Sequence, residues 1–212
     1  MRDPKGLKLF PEVAEELAHV GRAFFARGWM SGTSGNLSAV LRRDPLEIAI
    51  TSSGVEKDKL AADHILRVDG TGNLLEGDGR PSAETLLHLA VSQLREAGAV
   101  LHTHSVWSNI LSDAHWTDGG LSIEGYEMLK GLEGISTHDH CEWLPIIENS
   151  QDMTQLSGAI SRALMDHPRS HGFLLRRHGL YTWGKDLREA KRHVEILEFL
   201  LEVLGRVHCA RK

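Results

Sequence analysis

The sequence predicts a single α/β domain in which helices cover a sheet of mixed strand direction. Helical and strand-like patterns alternate along all 212 residues without an internal repeat. No stretch has the length and composition of a linker between domains, and 41% hydrophobic residues are ordinary for a soluble globular protein. We therefore expect one domain spanning residues 1–212.

The first elements are expected to be a helix and two strands. "PEVAEELAHVGRAFFARGW" begins with Pro11, which suits a first helical turn. The short runs "NLSAVL" and "LEIAITSSG" are bounded by Gly, Pro and Asp, as is typical of paired strands. The apolar residues at helical spacing in the first segment are Val13, Leu17, Val20 and Phe24.

The middle of the chain alternates in the same way. "PSAETLLHLAVSQLREAG" predicts a helix with Ser82 as its N-cap and Gly98 beyond its end. "AVLHTHS" predicts a strand, and "VWSNILSD" predicts a short helix directly after it.

The last third predicts a strand at "EWLPII", a helix at "QDMTQLSGAISRALMDH" and one or two strands at "GFLLRRHGLYTW". "KDLREAKRHVEILEFLLEVLGRV" predicts a long final helix. Its apolar stripe consists of Ala190, Val194, Leu197, Leu201 and Leu204.

Composition excludes several classes of function. The net charge is −5 and no basic run stands out, so extended binding to nucleic acid or to an anionic membrane is not expected. The first twenty residues carry charges throughout, unlike a signal peptide, and no span approaches the ~20 apolar residues of a membrane helix. Cys141 and Cys209 form no CxxC pattern and are expected to be free thiols. We expect a cytoplasmic protein.

Two of the thirteen histidines, His102 and His104, lie one residue apart in the predicted strand "AVLHTHS". Side chains at i and i+2 of a strand point to the same face, so the two rings could share one metal ion. A catalytic zinc site takes three protein ligands and leaves a position open for water or substrate. The pair therefore predicts a third ligand elsewhere in the chain.

The spacing leaves three candidates for that ligand. The second H-x-H pair, His138 and His140, lies in a polar segment typical of a solvated surface. His88 lies between two leucines of a predicted helix, where a packing role is expected. His178 follows a predicted strand and precedes a glycine that allows a tight turn, so spacing alone favours it modestly.

Five segments resemble, in order and spacing, the motifs of the class II aldolase and adducin family: "SGTSGNLS", "ITSSGVEKDKL", "PSAETLLHLAV", "AVLHTHS" and "LLRRHGLYTWG". The resemblance covers nearly the whole chain. It implies a homotetramer of three-layer α/β/α domains, each with a central, mostly antiparallel or mixed sheet. It also implies one divalent metal per subunit, usually Zn²⁺, held by His102, His104 and His178.

The same resemblance implies a sugar-phosphate substrate. On their own, the Gly- and Ser-rich segments are typical of ordinary turns, although such loops can also wrap an oxyanion without a lysine. In the family these loops bind the phosphate. The residues carried over are Ser34, Gly35, Asn36, Thr51, Ser52, Ser53, Gly54 and Ser82.

Two glutamates are candidate acid/base groups. Glu84 occupies the position of the aldolase glutamate on the helix before H-x-H, where it could also be a metal ligand. "YEMLKGL" and "LPIIENSQDM" resemble a dehydratase branch of the family, in which the match to Glu127 is the catalytic acid/base. The resemblance thus implies elimination of water from a 2-ketose 1-phosphate.

Two alternatives remain at this point. An aldolase or epimerase acting on fuculose, rhamnulose or ribulose phosphates would use Glu84 as its main acid/base. A non-catalytic scaffold of the adducin type would need no metal, and the three intact histidines argue against it.

Overall fold

A computed structural model describes residues 10–210 of the chain. It contains five α-helices: α1 (Phe10–Ala26), α2 (Thr85–Leu94), α3 (Val106–Ala114), α4 (Met153–Asp166) and α5 (Leu187–Ala210). The nine strands are β1 (Asn36–Arg43), β2 (Leu46–Thr51), β3 (Ile65–Asp69), β4 (Leu74–Glu76), β5 (Ala99–Thr103), β6 (Gly120–Glu124), β7 (Cys141–Ile147), β8 (Gly172–Leu175) and β9 (Gly179–Gly184).

All nine strands form one sheet in the order β4-β3-β2-β1-β5-β9-β8-β7-β6. Neighbouring strands are antiparallel except β7 and β8, which are parallel. The predicted α/β domain with a mostly antiparallel, mixed sheet is therefore confirmed.

Helices cover both faces of the sheet, which gives the three layers. Strand β5 shows the alternation: Ala99 and Leu101 pack in the cluster that contains the buried faces of α1 and the start of α5. Val100 lies on the other face, in the cluster with α2 and α4. A further cluster places Leu111 of α3 against α5, so α1, α3 and α5 share one face.

Strand direction decides which residues meet at each end of the sheet. Because the neighbours of β5 are antiparallel to it, its last residues lie beside the first residues of β1 and β9. The end of β2 lies at the same sheet end. By contrast, β6 ends at the opposite end, since Glu124 pairs with Cys141 at the start of β7.

The predicted elements agree with the structure except at a few positions. The prediction of Ser82 as an N-cap is wrong, because α2 begins at Thr85 and Glu84 occupies the cap position without a capping side chain. The segment before it is held by a bridge between Ser52 and Pro81 and by a turn in which the Thr85 N–H donates to the Ser82 carbonyl.

Strands β3, β4 and β6 were not predicted, and "GFLLRRHGLYTW" forms two strands, β8 and β9. Cys141 and Cys209 are free thiols, as expected, and both are exposed. Among the helices of residues 10–210, none has the length and apolar character needed to cross a membrane. The predicted absence of a signal peptide concerns in part residues 1–9, which lie outside the described residues.

Candidate functional site

Three histidine side chains converge at the end of the sheet where β5 ends. His102 is in β5, His104 lies just beyond it, and His178 lies in the turn between β8 and β9. The Nε2 atom of His102 is 2.7 Å from Nε2 of His104 and 3.3 Å from Nε2 of His178. The remaining pair, His104 and His178, is separated by 3.1 Å.

This arrangement fits a metal ion. In a tetrahedral site with metal–nitrogen bonds of about 2.0–2.1 Å, ligand atoms lie about 3.3 Å apart. The two separations that involve His178 are close to this value, and the His102–His104 separation is shorter. The Nδ1–H of His102 donates to the Leu180 carbonyl at 3.0 Å, which leaves the Nε2 lone pair free. Burial lowers the pKa of His102 to about 4, and burial with the neighbouring histidines lowers that of His104 to about 2. Both rings are therefore neutral at pH 7, as metal ligation requires.

Backbone contacts fix the two loops that carry the ligands. The His104 N–H donates to the Trp29 carbonyl at 2.7 Å, and Ser105 caps α3 by accepting from the Ser108 N–H at 3.0 Å. In the β8–β9 turn, Arg177 adopts a positive φ of 52°, and the Asn109 amide donates to the His178 carbonyl at 2.8 Å.

Gly179 allows this turn to approach β5. A Cβ atom at Gly179 would lie 2.0 Å from the Thr103 carbonyl oxygen and 2.9 Å from Cε1 of His102. Only glycine fits there without displacing β5 or His178. The glycine after His178 is thus required by close packing against the strand that carries the other two histidines.

Glu84 lies against the histidine cluster. Its Oε1 is 3.2 Å from Nε2 of His178 and its Oε2 is 3.7 Å from Nε2 of His102. The Asn36 amide donates to Glu84 Oε2 at 2.5 Å. Burial alone would raise the Glu84 pKa, but the histidines and the Asn36 hydrogen bond hold it below its ordinary value, so this carboxylate is ionised at neutral pH.

A second layer of polar side chains supports Asn36 and His102. His88 is fully buried and bonds Ser38 Oγ through Nδ1 and the side-chain amide oxygen Oδ1 of Asn36 through Nε2, in agreement with the packing role expected for it. The Tyr181 ring stacks on His102 with centroids 3.8 Å apart. Burial, and then the negative charge of Glu84, raise the Tyr181 pKa well above its ordinary value, so the phenol stays protonated.

A cavity of about 160 Å³ adjoins the histidines, and we call it the serine-rich cavity. Seven of the eight predicted phosphate-binding residues line it. The eighth, Thr51, is buried in β2 and its hydroxyl accepts from the Leu37 N–H at 3.2 Å. The lining residues are Thr33, Ser34, Gly35, Asn36, Ser52, Ser53, Gly54, Lys57, Ser82, Glu84, His104 and His178.

Sequence reasoning missed two residues at this site. Lys57 lines the serine-rich cavity, although the loops were expected to bind an oxyanion without a lysine. Among the charged residues of "EKDK", nothing in the sequence distinguishes the buried one. Tyr181 pairs directly with His102 across β5 and β9, a contact that depends on the strand register.

Glu127 does not lie at this site within the protomer. It begins a short 3-10 helix after β6, at the opposite end of the sheet from the three histidines. Its side chain is 72% exposed, forms an ion pair with Lys130 and lies 3.9 Å from His138. Glu127 is therefore available at the surface and is absent from the lining of the serine-rich cavity.

The other histidine candidates lie elsewhere. His138 is exposed, whereas His140 donates to the buried Glu142 carboxylate at 2.9 Å. His140 lines a wider cavity of about 800 Å³, together with His171 and His193. Apart from His140, which was one of the candidates for the third metal ligand, this cavity contains none of the residues predicted for substrate or metal.

The chain is similar to known proteins in sequence and in fold. Residues 15–204 match the profile of the family described as Class II Aldolase and Adducin N-terminal domain. A methylthioribulose-1-phosphate dehydratase of Marinobacter nauticus is 41% identical over 91% of this chain and 92% of its own. A protein of the same name from Methylococcus capsulatus is 42% identical over 96% of this chain and 98% of its own.

Solved structures agree with the architecture. An L-fuculose-1-phosphate aldolase from Thermus thermophilus superimposes with a TM-score of 0.74. The match covers 95% of this chain and 98% of that chain at 24% identity. This likeness concerns the fold.

Proposed function

This chain belongs to the family of class II aldolases and adducin N-terminal domains, and we propose that it is a metal-dependent hydro-lyase that dehydrates methylthioribulose 1-phosphate. The product is 2,3-diketo-5-methylthiopentyl 1-phosphate, and the reaction is a step of methionine salvage. The observation that carries the proposal is the 41–42% identity to dehydratases of that name along more than nine-tenths of the chain. The three convergent histidines beside a serine-rich cavity supply the site that such a reaction needs.

One Zn²⁺ per subunit would be held by His102, His104 and His178, whose Nε2 atoms converge. When bound, such an ion acts as a Lewis acid toward the ketone of the substrate. Glu84 would stabilise the site as a negative charge next to two of these ligands. The loops of the serine-rich cavity would bind the phosphate through hydroxyl and backbone donors.

The reaction removes a proton from C3 and hydroxide from C4, which in sum is the loss of one water. A base must accept the C3 proton and an acid must protonate the departing C4 hydroxyl. The resulting enol then ketonises to the 2,3-diketone. We assign one or both proton transfers to Glu127.

Because Glu127 lies at the far end of the sheet from the histidines of its own protomer, it would act at the site of a neighbouring subunit. This assignment requires an oligomer, and we propose a cytoplasmic homotetramer in which each subunit is one domain spanning residues 1–212. The exposed position of Glu127 supports the proposal, since a residue that serves a neighbour must reach the surface of its own subunit.

One observation favours a second function, a sugar-phosphate aldolase or epimerase. Glu84 lies directly beside the histidines, where it could transfer protons without help from another subunit. Such an enzyme would use the same metal and phosphate sites. The two functions differ in whether a carbon–oxygen or a carbon–carbon bond is broken.

Incubation of the metal-loaded protein with methylthioribulose 1-phosphate distinguishes these functions. We expect the 2,3-diketone to accumulate with loss of one water per substrate, detected by mass spectrometry and by trapping with a diamine. A matched incubation with dihydroxyacetone phosphate and small aldehydes should give no condensation product. The reverse pattern would assign the protein to the aldolases.

A further inference from the structure

Lys57 is buried to an unusual degree for its residue type. It is 1% exposed, and no other lysine or arginine of residues 10–210 is buried to this extent. Lysine side chains are almost never fully buried unless they are paired. Its position therefore requires an explanation beyond packing.

The contacts of Lys57 connect two loops. Its ammonium donates to the carbonyl of Thr33 and to that of Val55, each at 3.0 Å. Its backbone N–H also donates to the Gly32 carbonyl at 3.1 Å. One loop contains Ser34 and Gly35, the other contains Ser53 and Gly54, and both line the serine-rich cavity.

These contacts leave the charge of Lys57 uncompensated. Both acceptors of the ammonium are neutral carbonyls, and within the described part of the chain no carboxylate forms an ion pair with it. An ammonium has three donors, of which two are used here. Burial lowers the Lys57 pKa to about 8, so the group is still mainly protonated at pH 7.

The serine-rich cavity is where a compensating anion would fit, because the Glu84 carboxylate in its lining is bound to His178 and Asn36 and forms no ion pair with Lys57. Lys57 is the one lysine or arginine among its lining residues, and the serine hydroxyls of the two loops are neutral donors. A buried cation is stabilised when an opposite charge occupies the adjoining space. A phosphate monoester carries about two negative charges at neutral pH and accepts several hydrogen bonds.

We propose that Lys57 is a positioning residue for the phosphate of the substrate. Lys57 holds the 31–35 and 52–56 loops together and supplies the positive charge that selects a phosphate dianion. This inference rests on the proposed function for the identity of the substrate. It adds a cation to a phosphate site otherwise made of hydroxyl, side-chain amide and backbone groups. Since the phosphate is remote from C3 and C4, Lys57 stabilises the bound substrate and the transition state equally. Its loss therefore raises KM with little change in kcat.

The test compares Lys57→Met with Lys59→Met in the full-length, metal-loaded protein. Lys59 is exposed and paired with Glu56, so it controls for the loss of a lysine in the same segment. The probe is inorganic phosphate, whose Kd is measured by calorimetry, together with KM and kcat for methylthioribulose 1-phosphate. We expect Lys57→Met to weaken phosphate binding and raise KM by at least about tenfold each, with kcat within about threefold of the parent. Lys59→Met should change neither.

A folded Lys57→Met protein whose phosphate Kd stays within about twofold of the parent would overturn the proposal, as would a parent that does not bind phosphate. If Lys57→Met does not fold, the same test is applied to Lys57→Gln, which keeps a hydrogen-bond donor without the charge. Failure of both variants to fold would assign Lys57 a purely structural role. Lys57-dependent phosphate binding without turnover of methylthioribulose 1-phosphate would refute the proposed function and leave this inference standing.

Discussion

A histidine nitrogen binds a metal only when its lone pair is free and its ring is held in place. His102 meets both conditions through its Nδ1 bond to the Leu180 carbonyl and its stacking on Tyr181. We predict that His102→Ala, His104→Ala and His178→Ala each retain less than about a tenth of the parent's metal, because removing one of three protein ligands leaves a labile site. Elemental analysis after dialysis measures the effect.

The controls are two histidines outside the cluster. His138→Ala removes an exposed side chain and His140→Ala removes a partner of Glu142, so both proteins should keep their full metal content. A variant of His102, His104 or His178 that keeps its metal would exclude that residue from the ligand set.

At the residue scale, sequence reasoning succeeded where chemistry depends on local spacing. The H-x-H pair predicts two rings on one side of β5 from strand geometry alone, and the structure brings His102 and His104 together. It failed for Lys57 and Tyr181, because their importance depends on contacts between segments that are far apart in sequence. Burial of one lysine among several charged neighbours has no signature in the sequence.

At the scale of elements, the turn between β8 and β9 depends on a glycine. We predict that Gly179→Ala destabilises the protein by about 2 kcal/mol or more and reduces its metal content, because the added methyl group would overlap the Thr103 carbonyl. Thermal unfolding and elemental analysis measure the two effects.

Gly158→Ala is the matched control for that change. Gly158 lies within α4, and a Cβ there would have only the Arg162 side chain as a neighbour, at 3.7 Å. Alanine should stabilise this helix by about 0.5–1 kcal/mol, with metal content unchanged. Equal stability of Gly179→Ala and the parent would show that the turn tolerates a side chain.

The predicted elements are those with strong periodicity. The final helix was predicted from its apolar stripe, of which Ala190, Val194, Leu197 and Leu201 are buried and Leu204 is partly buried. Strand β4 was missed because its three residues are all exposed, so no alternation of apolar and polar residues marks it. The error at Ser82 has a different cause, since long-range pairing of Pro81 with Ser52 delays the start of α2.

A partly buried ion pair away from the metal site affects the stability of the whole molecule. The Glu142 carboxylate, 1% exposed, accepts from the backbone N–H of His171 at 2.8 Å and from its Nδ1–H at 2.9 Å. Burial alone would lower the His171 pKa and raise the Glu142 pKa, because it disfavours the charged form of each group. The hydrogen bonds and opposite charges of the pair outweigh burial, so the His171 pKa is raised above 6.5 and the Glu142 pKa is lowered below 4.5. The surrounding titratable groups are His140, His193 and Glu133.

These shifts determine how stability depends on pH. The raised pKa of His171 gives stability that is full below pH 6.5 and is lost as the pH rises through that pKa. The lowered pKa of Glu142 gives stability that is full above pH 4.5 and is lost as the pH falls. The pair therefore stabilises the protein most between pH 4.5 and 6.5.

We predict that Glu142→Gln costs about 3 kcal/mol of unfolding free energy at about pH 6, because the partly buried His171 ring loses the carboxylate that compensates its charge. The cost should be smaller at about pH 9, because the charge of the His171 ring is lost as the pH rises through its pKa. Urea unfolding at both pH values measures it. Asp118→Asn breaks the exposed pair with His115 and should cost less than about 1 kcal/mol at either pH. An equal cost of Glu142→Gln at both pH values would contradict the assignment.

The assembly determines whether Glu127 can act on substrate. Within a protomer it is separated from the histidines by the length of the sheet, whereas Glu84 is within 3.2 Å of His178. If Glu127 serves a neighbour, Glu127→Gln should keep its metal and lose about 10²-fold or more in kcat, which is the range for one general acid/base. His104→Ala should be inactive for lack of metal while still presenting an intact Glu127.

Mixing the two inactive proteins distinguishes action within a subunit from action between subunits. In randomly mixed oligomers, about a quarter of the sites would combine the metal of a Glu127→Gln subunit with the Glu127 of a His104→Ala neighbour. We predict that co-expression and purification through two different tags restores activity to about that fraction of the parent. A mixture of Glu84→Gln with His104→Ala is the control and should gain nothing, because Glu84 and the histidines belong to one protomer. Absence of recovery in oligomers shown to contain both chains would remove Glu127 from the neighbouring site and return the proton transfers to Glu84.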